Sequence, residues 1–401
     1  MRMLLGALGL AATFLHGSAH PSQVQTLYTA PPDQRIQAFA QDGARLAWFE
    51  PGTSRCNAVW VWQLGSAQFR MPTQQTRNVT CRWQVPASSP VGLAIASNDG
   101  STAVLWTLRE AAAQALKFDY VLGATVSDPQ ERRFQQVAHA RHGSGLWLGG
   151  VAGGDGALLY SVVQVQYVDQ VACLTTPDKP GACDLKVSGG GIYRIVGRKL
   201  PTAVKGASPA VLLALADRRV AYVPAAGAAL TDGHPYASPG LPVEIRNVDS
   251  GDPVASVSTN GTPIAISLSD TVLAVLARTA NGLVLSWYSA GDGKLMNFVT
   301  VPKTTSPIVA AGTKDIVYRV GMSLRAVDVA THKVRPVARA ASTPVGLSLW
   351  GERLAWAENV GGRGRIRAIT LRPGGSSSRP TACRRSPATS TASTRPAASP
   401  T

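Results

Sequence analysis

The chain has 401 residues, of which 45% are hydrophobic, so it can bury a large core. Only 15% of the residues are charged, while 39 are Gly and 27 are Pro, a composition that favours a turn-rich β protein over a helical one. The formal charge is +16, but five Arg and no acid follow residue 371, which leaves +11 (16 minus 5) spread over the rest of the chain. No Lys/Arg cluster marks a face, and we expect no nucleic-acid binding.

Residues 1–22, "MRMLLGALGLAATFLHGSAHPS", have the layout of a secretory signal peptide. One Arg precedes an apolar run from Met3 to Leu15, and small residues follow, which predicts a signal peptide over 1–19 with cleavage after Ala19. A buried first strand or helix is the alternative interpretation. No segment reaches the roughly 20 apolar residues of a membrane helix, so we expect a chain that is secreted or held in the cell envelope, without a membrane span.

From Val24 to Leu371, short apolar strands alternate with turn signals and recur as repeats. Ser or Thr followed by Pro opens an apolar strand five times, at Ser89, Ser208, Thr262, Ser306 and Thr343. A polar turn and further strands follow each copy, so that a unit of four strands repeats every roughly 40 to 55 residues. This pattern predicts an all-β fold over residues 22–371, a β-propeller of four-stranded antiparallel blades. We expect seven blades, with six or eight as alternatives because residues 110–133 are hard to assign.

The last predicted blade supplies only three strands before Leu371. We therefore expect the segment Gln23–Ala30 to add the missing strand and close the ring. The phrase "GARLAWFE" at 43–50 returns as "GERLAWAE" at 351–358, which we interpret as the second strand of the first and last blades, with Leu and Trp on one face and the first copy packed on the last. Residues 372–401 are predicted to be a disordered tail rich in Ser, Thr, Pro and Arg.

The chain has five cysteines, a number that fits an oxidising compartment. We expect disulfides between Cys56 and Cys81 and between Cys173 and Cys183, with Cys383 left in the tail. No CxxC motif or compact Cys/His set occurs, so no zinc site is predicted.

The candidate binding residues are Asp232, His234 and Tyr236, in the loop "TDGHPYASPG" that is expected at one rim. Ordinary turn chemistry is the alternative for this loop. His139 and His142 would lie on opposite faces of a strand, and no nucleophile motif surrounds Ser144, so neither predicts a metal site or a triad. We therefore predict no catalytic residue, metal or cofactor. Most Trp residues fall in strand positions, which favours packing between blades over ligand stacking.

The repeats "DGARLAWFEPG" and "NAVWVWQL", together with "RRVAYV" and "DIVYRV", resemble those of TolB-type and WD-repeat propellers. The wider set is similar to secreted bacterial propeller proteins of the actinobacterial type. The Trp-Asp dipeptide of WD repeats and the Trp docking motif of quinone-dependent dehydrogenases are absent. The resemblance therefore implies a fold and carries over no catalytic residues.

The main functional hypothesis is a non-catalytic extracellular propeller, monomeric by default, that binds a protein or a cell-envelope polymer through a rim. The alternative is a propeller enzyme that acts on glycans or uses a quinone cofactor. A third hypothesis is a propeller that stabilises a larger envelope assembly. Carboxylates and His clustered at the channel mouth would favour the enzyme, while Gly, Ser, Ala and Thr there would favour binding.

Overall fold

The structure is a computed structural model that describes residues 23–51, 57–64, 69–70, 90–98, 101–109, 119–126, 132–139, 146–154, 156–176, 178–181, 185–196, 199–225, 229–231, 234–237, 240–304 and 307–371. The chain divides into two compact units, Met1–Leu371 and Arg372–Thr401, and the described residues all lie in the first. The predicted signal peptide, the predicted tail and most of the segment 110–133 lie outside the described residues.

The described strands form seven four-stranded sheets, which we call blades and number along the chain. Blade 1 contains β2 (Ala38–Asp42), β3 (Arg45–Pro51), β4 (Asn57–Gln63) and β5 (Phe69–Arg70); blade 2 contains β6 (Pro90–Asn98), β7 (Ser101–Arg109), β8 (Asp119–Val126) and β9 (Arg132–His139). Blade 3 contains β10 (Leu146–Gly154), β11 (Ala157–Tyr167), β12 (Leu185–Val196) and β13 (Thr202–Ala203); blade 4 contains β14 (Ala210–Ala216), β15 (Arg219–Pro224), β18 (Val243–Asn247) and β19 (Pro253–Val257).

The remaining blades follow the same order from inner to outer strand. Blade 5 contains β20 (Thr262–Leu268), β21 (Val272–Thr279), β22 (Gly282–Ser289) and β23 (Leu295–Val301); blade 6 contains β24 (Val309–Ala311), β25 (Asp315–Val320), β26 (Ser323–Asp328) and β27 (Val334–Arg339). Blade 7 contains β28 (Gly346–Trp350), β29 (Arg353–Val360), β30 (Arg363–Thr370) and β1 (Gln25–Thr29). A separate hairpin, β16 (Ala229–Thr231) and β17 (His234–Tyr236), and a short helix, α1 (Gln170–Thr175), lie in connections.

The first strand of every blade lies at the centre of a closed ring. Strand β2 contacts β6 and β28, β10 contacts β6 and β14, and β20 contacts β14 and β24, while β24 also contacts β28. All pairings inside the blades are antiparallel. The predicted all-β propeller of four-stranded antiparallel blades is confirmed.

The N-terminal strand β1 is the outer strand of the last blade. It pairs with β30, so that Gln25 lies opposite Ala368 and Thr29 opposite Arg365. The amide of Ala30 extends this pairing by donating to the carbonyl of Gly364 at 2.8 Å. Blade 7 thus contains strands from both ends of the described chain, and the added strand lies in the predicted segment Gln23–Ala30.

The hydrophobic core consists of layers between neighbouring blades, and an aromatic side chain on the second strand recurs in these layers. Trp48, Tyr160, Tyr222, Tyr318 and Trp356 each pack with residues of the preceding blade. The side chains of Trp48 and Trp356 are fully buried. Inter-blade packing of these rings agrees with the prediction from their strand positions.

The repeated phrase "RLAW" shows how the first and last blades meet. Leu46 and Trp48 of β3 lie in one buried cluster with Ala355 and Ala357 of β29. In the second copy, Leu354 and Trp356 likewise pack on the preceding blade, which is blade 6. Both copies therefore turn Leu and Trp to the preceding blade, and the first copy packs on the last as predicted.

Both copies of the phrase end in a buried glutamate. Glu50 is 1% exposed and Glu358 is 0% exposed. The hydroxyl of Tyr28 on β1 donates to Glu50 Oε1 at 3.4 Å, and burial followed by the nearby Glu50 charge raises the pKa of Tyr28. Glu358 Oε2 accepts from the amide of Ala341 at 2.8 Å. Each glutamate thus fixes a segment outside its own hairpin, β1 in one case and the linker from blade 6 to blade 7 in the other.

The ring has two ends that differ in their connections. At the first, which we call the mouth end, the chain turns from the first to the second strand of each blade, as at Asp42–Gly43, where Gly43 has φ +58°. Positive φ is the reason why glycine suits this position. At the second, which we call the linker end, the chain turns from the second to the third strand and passes from one blade to the next. These two ends are the surfaces where a partner could approach the loops.

Candidate functional site

A cavity of about 490 Å³ lies on the ring axis and is lined by the first strands of all seven blades. It reaches the mouth end, because its lining includes the turn residues Asp42, Asp270 and Gly351. Most lining residues are Gly, Ala, Ser, Val, Leu or Ile, as in the wall segments Ala94–Ile95 and Leu213–Ala216. The size falls in the range of small-molecule sites, about 300 to 1,000 Å³.

Two carboxylates, Asp42 and Asp270, are the ionisable side chains in the described lining of this cavity. They belong to blades 1 and 5, which are not neighbours in the ring. Acid–base chemistry of the glycosidase kind needs two carboxyl groups about 5 to 10 Å apart on opposite sides of one bond. The described wall offers no pair on adjacent blades, and no group of three metal-ligating side chains is found in the described part of the chain.

Trp350 lies at the cavity mouth, where it ends β28, and is 51% exposed. It differs from Trp48 and Trp356, which are buried in the layers between blades. Its exposure makes it an exception to the prediction that the tryptophans serve packing. An exposed aromatic ring beside a cavity is available for contact with a partner.

The cations of the mouth end are mostly held by carboxylates, and several of these contacts cross between blades. Asp249, on the turn from β18 to β19, accepts hydrogen bonds from both Arg194 and Arg218. Burial alone would raise the pKa of Asp249, but the hydrogen bonds from these two arginines outweigh it and lower the pKa. Between blades 6 and 7, Lys314 Nζ donates to Glu352 Oε1 at 2.9 Å.

Other mouth-end contacts repeat this arrangement. Arg219 pairs with Asp217 at 2.7 Å and donates to the carbonyl of Ala290 in the next blade at 3.1 Å. Asp315 accepts from Arg335 at 2.8 Å, although burial raises the pKa of Asp315 overall. The described charges of the mouth end are therefore largely paired, and two of the pairs, Arg194–Asp249 and Lys314–Glu352, connect neighbouring blades.

The linker end differs, because exposed cations gather there on neighbouring blades. We name this group the cationic arc; its members are Arg278 on blade 5, Lys303 between blades 5 and 6, Arg339 on blade 6, Arg363 on blade 7 and Arg35 between blade 7 and blade 1. All five are exposed, and the described residues provide none of their side chains with a hydrogen-bond or ion-pair partner.

One exposed carboxylate, Asp33, shares the linker end of blades 5 to 7 within the described ranges. The glutamates Glu50 and Glu358 lie toward the same end but are buried. The sequence interpretation that no Lys/Arg cluster marks a face is therefore wrong for this end. The members of the arc are separated by tens of residues along the chain and are brought to one end only by closure of the ring. They share a position near the end of a strand or in a connection between strands.

The predicted site residues fall in a hairpin at the linker end of blade 4. His234 and Tyr236 lie on β17, which pairs with β16 so that Thr231 faces His234, and Asp232 lies outside the described residues. The expected long loop is thus a short two-stranded sheet between β15 and β18, and β17 contacts the inner strand β10 of blade 3. Its role in binding remains a prediction.

The other predicted residues are only partly within the described chain. Cys173, on α1, is disulfide-bonded, while Cys183, Cys56, Cys81 and Cys383 lie outside the described residues, so the two pairings remain predictions. His139 ends β9, and His142 and Ser144 are likewise outside. The one described helix is too short and too polar to cross a membrane.

Comparison with family models and with curated proteins finds no match. Among solved structures, the chain is similar to the WD40 β-propeller domain of Doa1, with 10% identity and a TM-score of 0.45 over 86% of this chain and 96% of that one. It is also similar to Sqt1 of Saccharomyces cerevisiae, with 11% identity and a TM-score of 0.42 over 83% of this chain and 82% of that one.

A third similar structure is a puromycin-hydrolyzing peptidase of Mycobacterium tuberculosis, with 12% identity and a TM-score of 0.48 over 81% of this chain. The chain spans about half, 49%, of the length of that peptidase. Similarities of this degree carry no argument about activity. The class of protein is therefore defined by the sheets themselves, as a β-propeller with four-stranded blades.

Proposed function

We propose that this chain is a non-catalytic β-propeller that binds a protein or a cell-envelope polymer through one end of its ring, outside the cytoplasm. The observation that carries the proposal is the chemistry of the central cavity. Its described wall consists mainly of small and aliphatic side chains, and its two carboxylates, Asp42 and Asp270, stand on blades that do not adjoin. A wall of this kind supports the ring and leaves recognition to the exposed ends.

The extracellular location rests on sequence. The apolar run from Met3 to Leu15 with small residues before Ala19 supports export, and disulfide bonding of Cys173 fits an oxidising compartment. Similarity to TolB-type propellers and a bacterial source are part of the same proposal. Mass spectrometry of the chain secreted by a bacterial host tests it, and we expect a new N-terminus at His20.

The binding function is tested by incubating the purified chain with a cell-envelope fraction and with its soluble proteins in separate experiments. Co-sedimentation with the envelope, or a saturable complex with one soluble protein, supports the proposal. The enzyme alternative is tested in the same samples by release of reducing sugar and by reduction of a quinone-coupled dye. Turnover in either assay without any stable binding would contradict the proposal.

A further inference from the structure

We propose that the cationic arc at the linker end is a binding surface for a linear polyanion that carries phosphate or carboxylate groups. This inference rests on the proposed function and names the partner of that end. Its five cations come from three neighbouring blades and the segments that join them. They therefore present separate positive charges along a curved path and do not form one pocket for a single small anion.

The side chains of the arc are free for such a partner. Arg278 is the penultimate residue of the second strand of blade 5, Arg339 ends the outer strand of blade 6, and Arg363 begins the third strand of blade 7. All three are exposed, and the part of the chain that the structure describes gives them no acceptor. A guanidinium group can bind a phosphate or carboxylate through two parallel hydrogen bonds, so each arginine can hold one anionic group.

The mouth end of the same blades shows what the arc lacks. There Lys294 pairs with Asp292 at 3.0 Å and Lys314 pairs with Glu352 at 2.9 Å. At the linker end of blades 5 to 7, Asp33 is the one exposed carboxylate among the described residues, against five cations. Like charges that are not neutralised raise the local potential and attract anions from solution. In blades 5 to 7, Lys294 and Lys314 are paired with carboxylates at the mouth end, whereas the cations of the arc are exposed without such partners at the linker end. This difference in charge pairing supports the arc as a surface for a partner.

Surface composition favours a flexible polyanion over a protein. Interfaces between proteins usually contain buried aromatic or aliphatic anchors. Of the exposed large apolar side chains in blades 5 to 7, Leu295, Met296, Val334 and Trp350 belong to the mouth-end half and Phe298 to the middle of β23, which leaves Val345 at the linker end. Single-stranded nucleic acid is bound with stacking aromatic side chains, and none is exposed on the described arc.

The test measures binding of the full chain to two fluorescent probes, inorganic polyphosphate and poly-L-glutamate, by anisotropy over a series of salt concentrations. The variant reverses three charges of the arc: Arg278→Glu, Arg339→Glu and Arg363→Glu. The matched control reverses three charges at the mouth end: Lys294→Glu, Lys314→Glu and Lys333→Glu. Both change the net charge equally, and circular dichroism and thermal unfolding establish that both remain folded.

We expect the arc variant to bind at least about tenfold more weakly at 0.1 M salt, and the control to stay within about twofold of the wild type. The slope of log affinity against log salt should fall by about 2 in the arc variant, because each lost contact is worth about 0.7. Equal losses in both variants, or none in either, would overturn the inference. Tighter binding to single-stranded DNA than to both probes would overturn it in favour of a nucleic-acid surface.

Failure of this inference is distinguishable from failure of the proposed function. If the arc variant still co-sediments with envelope material as the wild type does, the polyanion inference is wrong while rim binding stands. If the wild type binds neither envelope material, protein nor probe, the proposed function itself is wrong.

Discussion

The two ends of the propeller are made by the same seven blades, yet they differ in whether their charged side chains are paired. At the mouth end, Asp249 binds two arginines and Glu352 binds Lys314, and the pairs Arg194–Asp249 and Lys314–Glu352 join neighbouring blades. At the linker end, Arg278, Arg339 and Arg363 are exposed without an acidic partner among the described residues. The difference indicates that charge is used for assembly at one end and is left available for a partner at the other.

The largest expected effect is on the free energy of unfolding, when a side chain in the core between two blades is truncated. Trp356 is fully buried between blades 6 and 7, so Trp356→Ala should lower the free energy of unfolding by about 3–5 kcal/mol. Trp350→Ala at the exposed mouth should change it by less than about 0.5 kcal/mol. Chemical denaturation measures both. Similar losses in the two variants would mean that the burial difference does not govern stability here.

The second effect concerns a buried carboxylate toward the linker end. Glu358→Ala leaves the amide of Ala341 and the indole N–H of Trp356 without their acceptor, so we expect a loss of about 2 kcal/mol. Glu358→Gln keeps an acceptor oxygen and should recover much of the loss. The matched mouth-end change is Glu352→Ala at an exposed site, where the unfolding midpoint should barely move. A larger effect at Glu352 would reverse the comparison.

The third effect is pH-dependent and belongs to the mouth end. The folded-state pKa of Asp249 lies below its ordinary value of about 4. Its pairing therefore stabilises the fold fully above about pH 4 and is lost as the pH falls through the lower folded value. Asp249→Asn should cost about 0.5–1 kcal/mol at pH 7, because solvent screens the pair.

Denaturation of the wild type and of Asp249→Asn across the acid range checks this sign. The difference between the two should shrink as the pH falls below about 4. A difference that stays constant down to low pH would mean that the carboxylate charge is not the source of the stabilisation.

The smallest expected effect is the change in thermal stability when one cation of the arc is replaced. Arg339→Glu should leave the thermal midpoint almost unchanged, because no described carboxylate loses a partner. A slightly higher midpoint is consistent with relief of repulsion inside the arc. A clear loss of stability would show that Arg339 has a structural partner, and the two ends would then be alike in their use of charge.

Much of the fold was predictable because its signals are local. The alternation of apolar residues, the Ser/Thr-Pro openings and the repeat of "RLAW" specify strands, and the unfinished last repeat requires an added strand such as Gln25–Thr29. The hairpin formed by β16 and β17 was not predicted. Gly233 and Pro235 are typical of turns, so the segment was interpreted as a loop although it contains two three-residue strands.

The candidate site was much less predictable. The arc combines residues as distant as Arg35 and Arg339, and no local pattern connects them. Charge pairing is equally hidden: Lys314 and Glu352 lie in different repeats and meet only across a blade boundary. Exposed charged residues follow no periodic pattern in the sequence. Which of them lie at the mouth end and which at the linker end could therefore be determined only from the structure.

Because β1 pairs with β30, the described chain is close to a circle with one break in it. Gln25 and Ala368 lie opposite each other, so a short linker could join the two ends and the break could be moved elsewhere. A circular permutant opened at Ser258–Asn260, in the surface connection between blades 4 and 5, should fold to the same ring. In the natural order, β1 is synthesised before the other described strands of the ring. It can pair with β30 only after almost all of the ring has been synthesised.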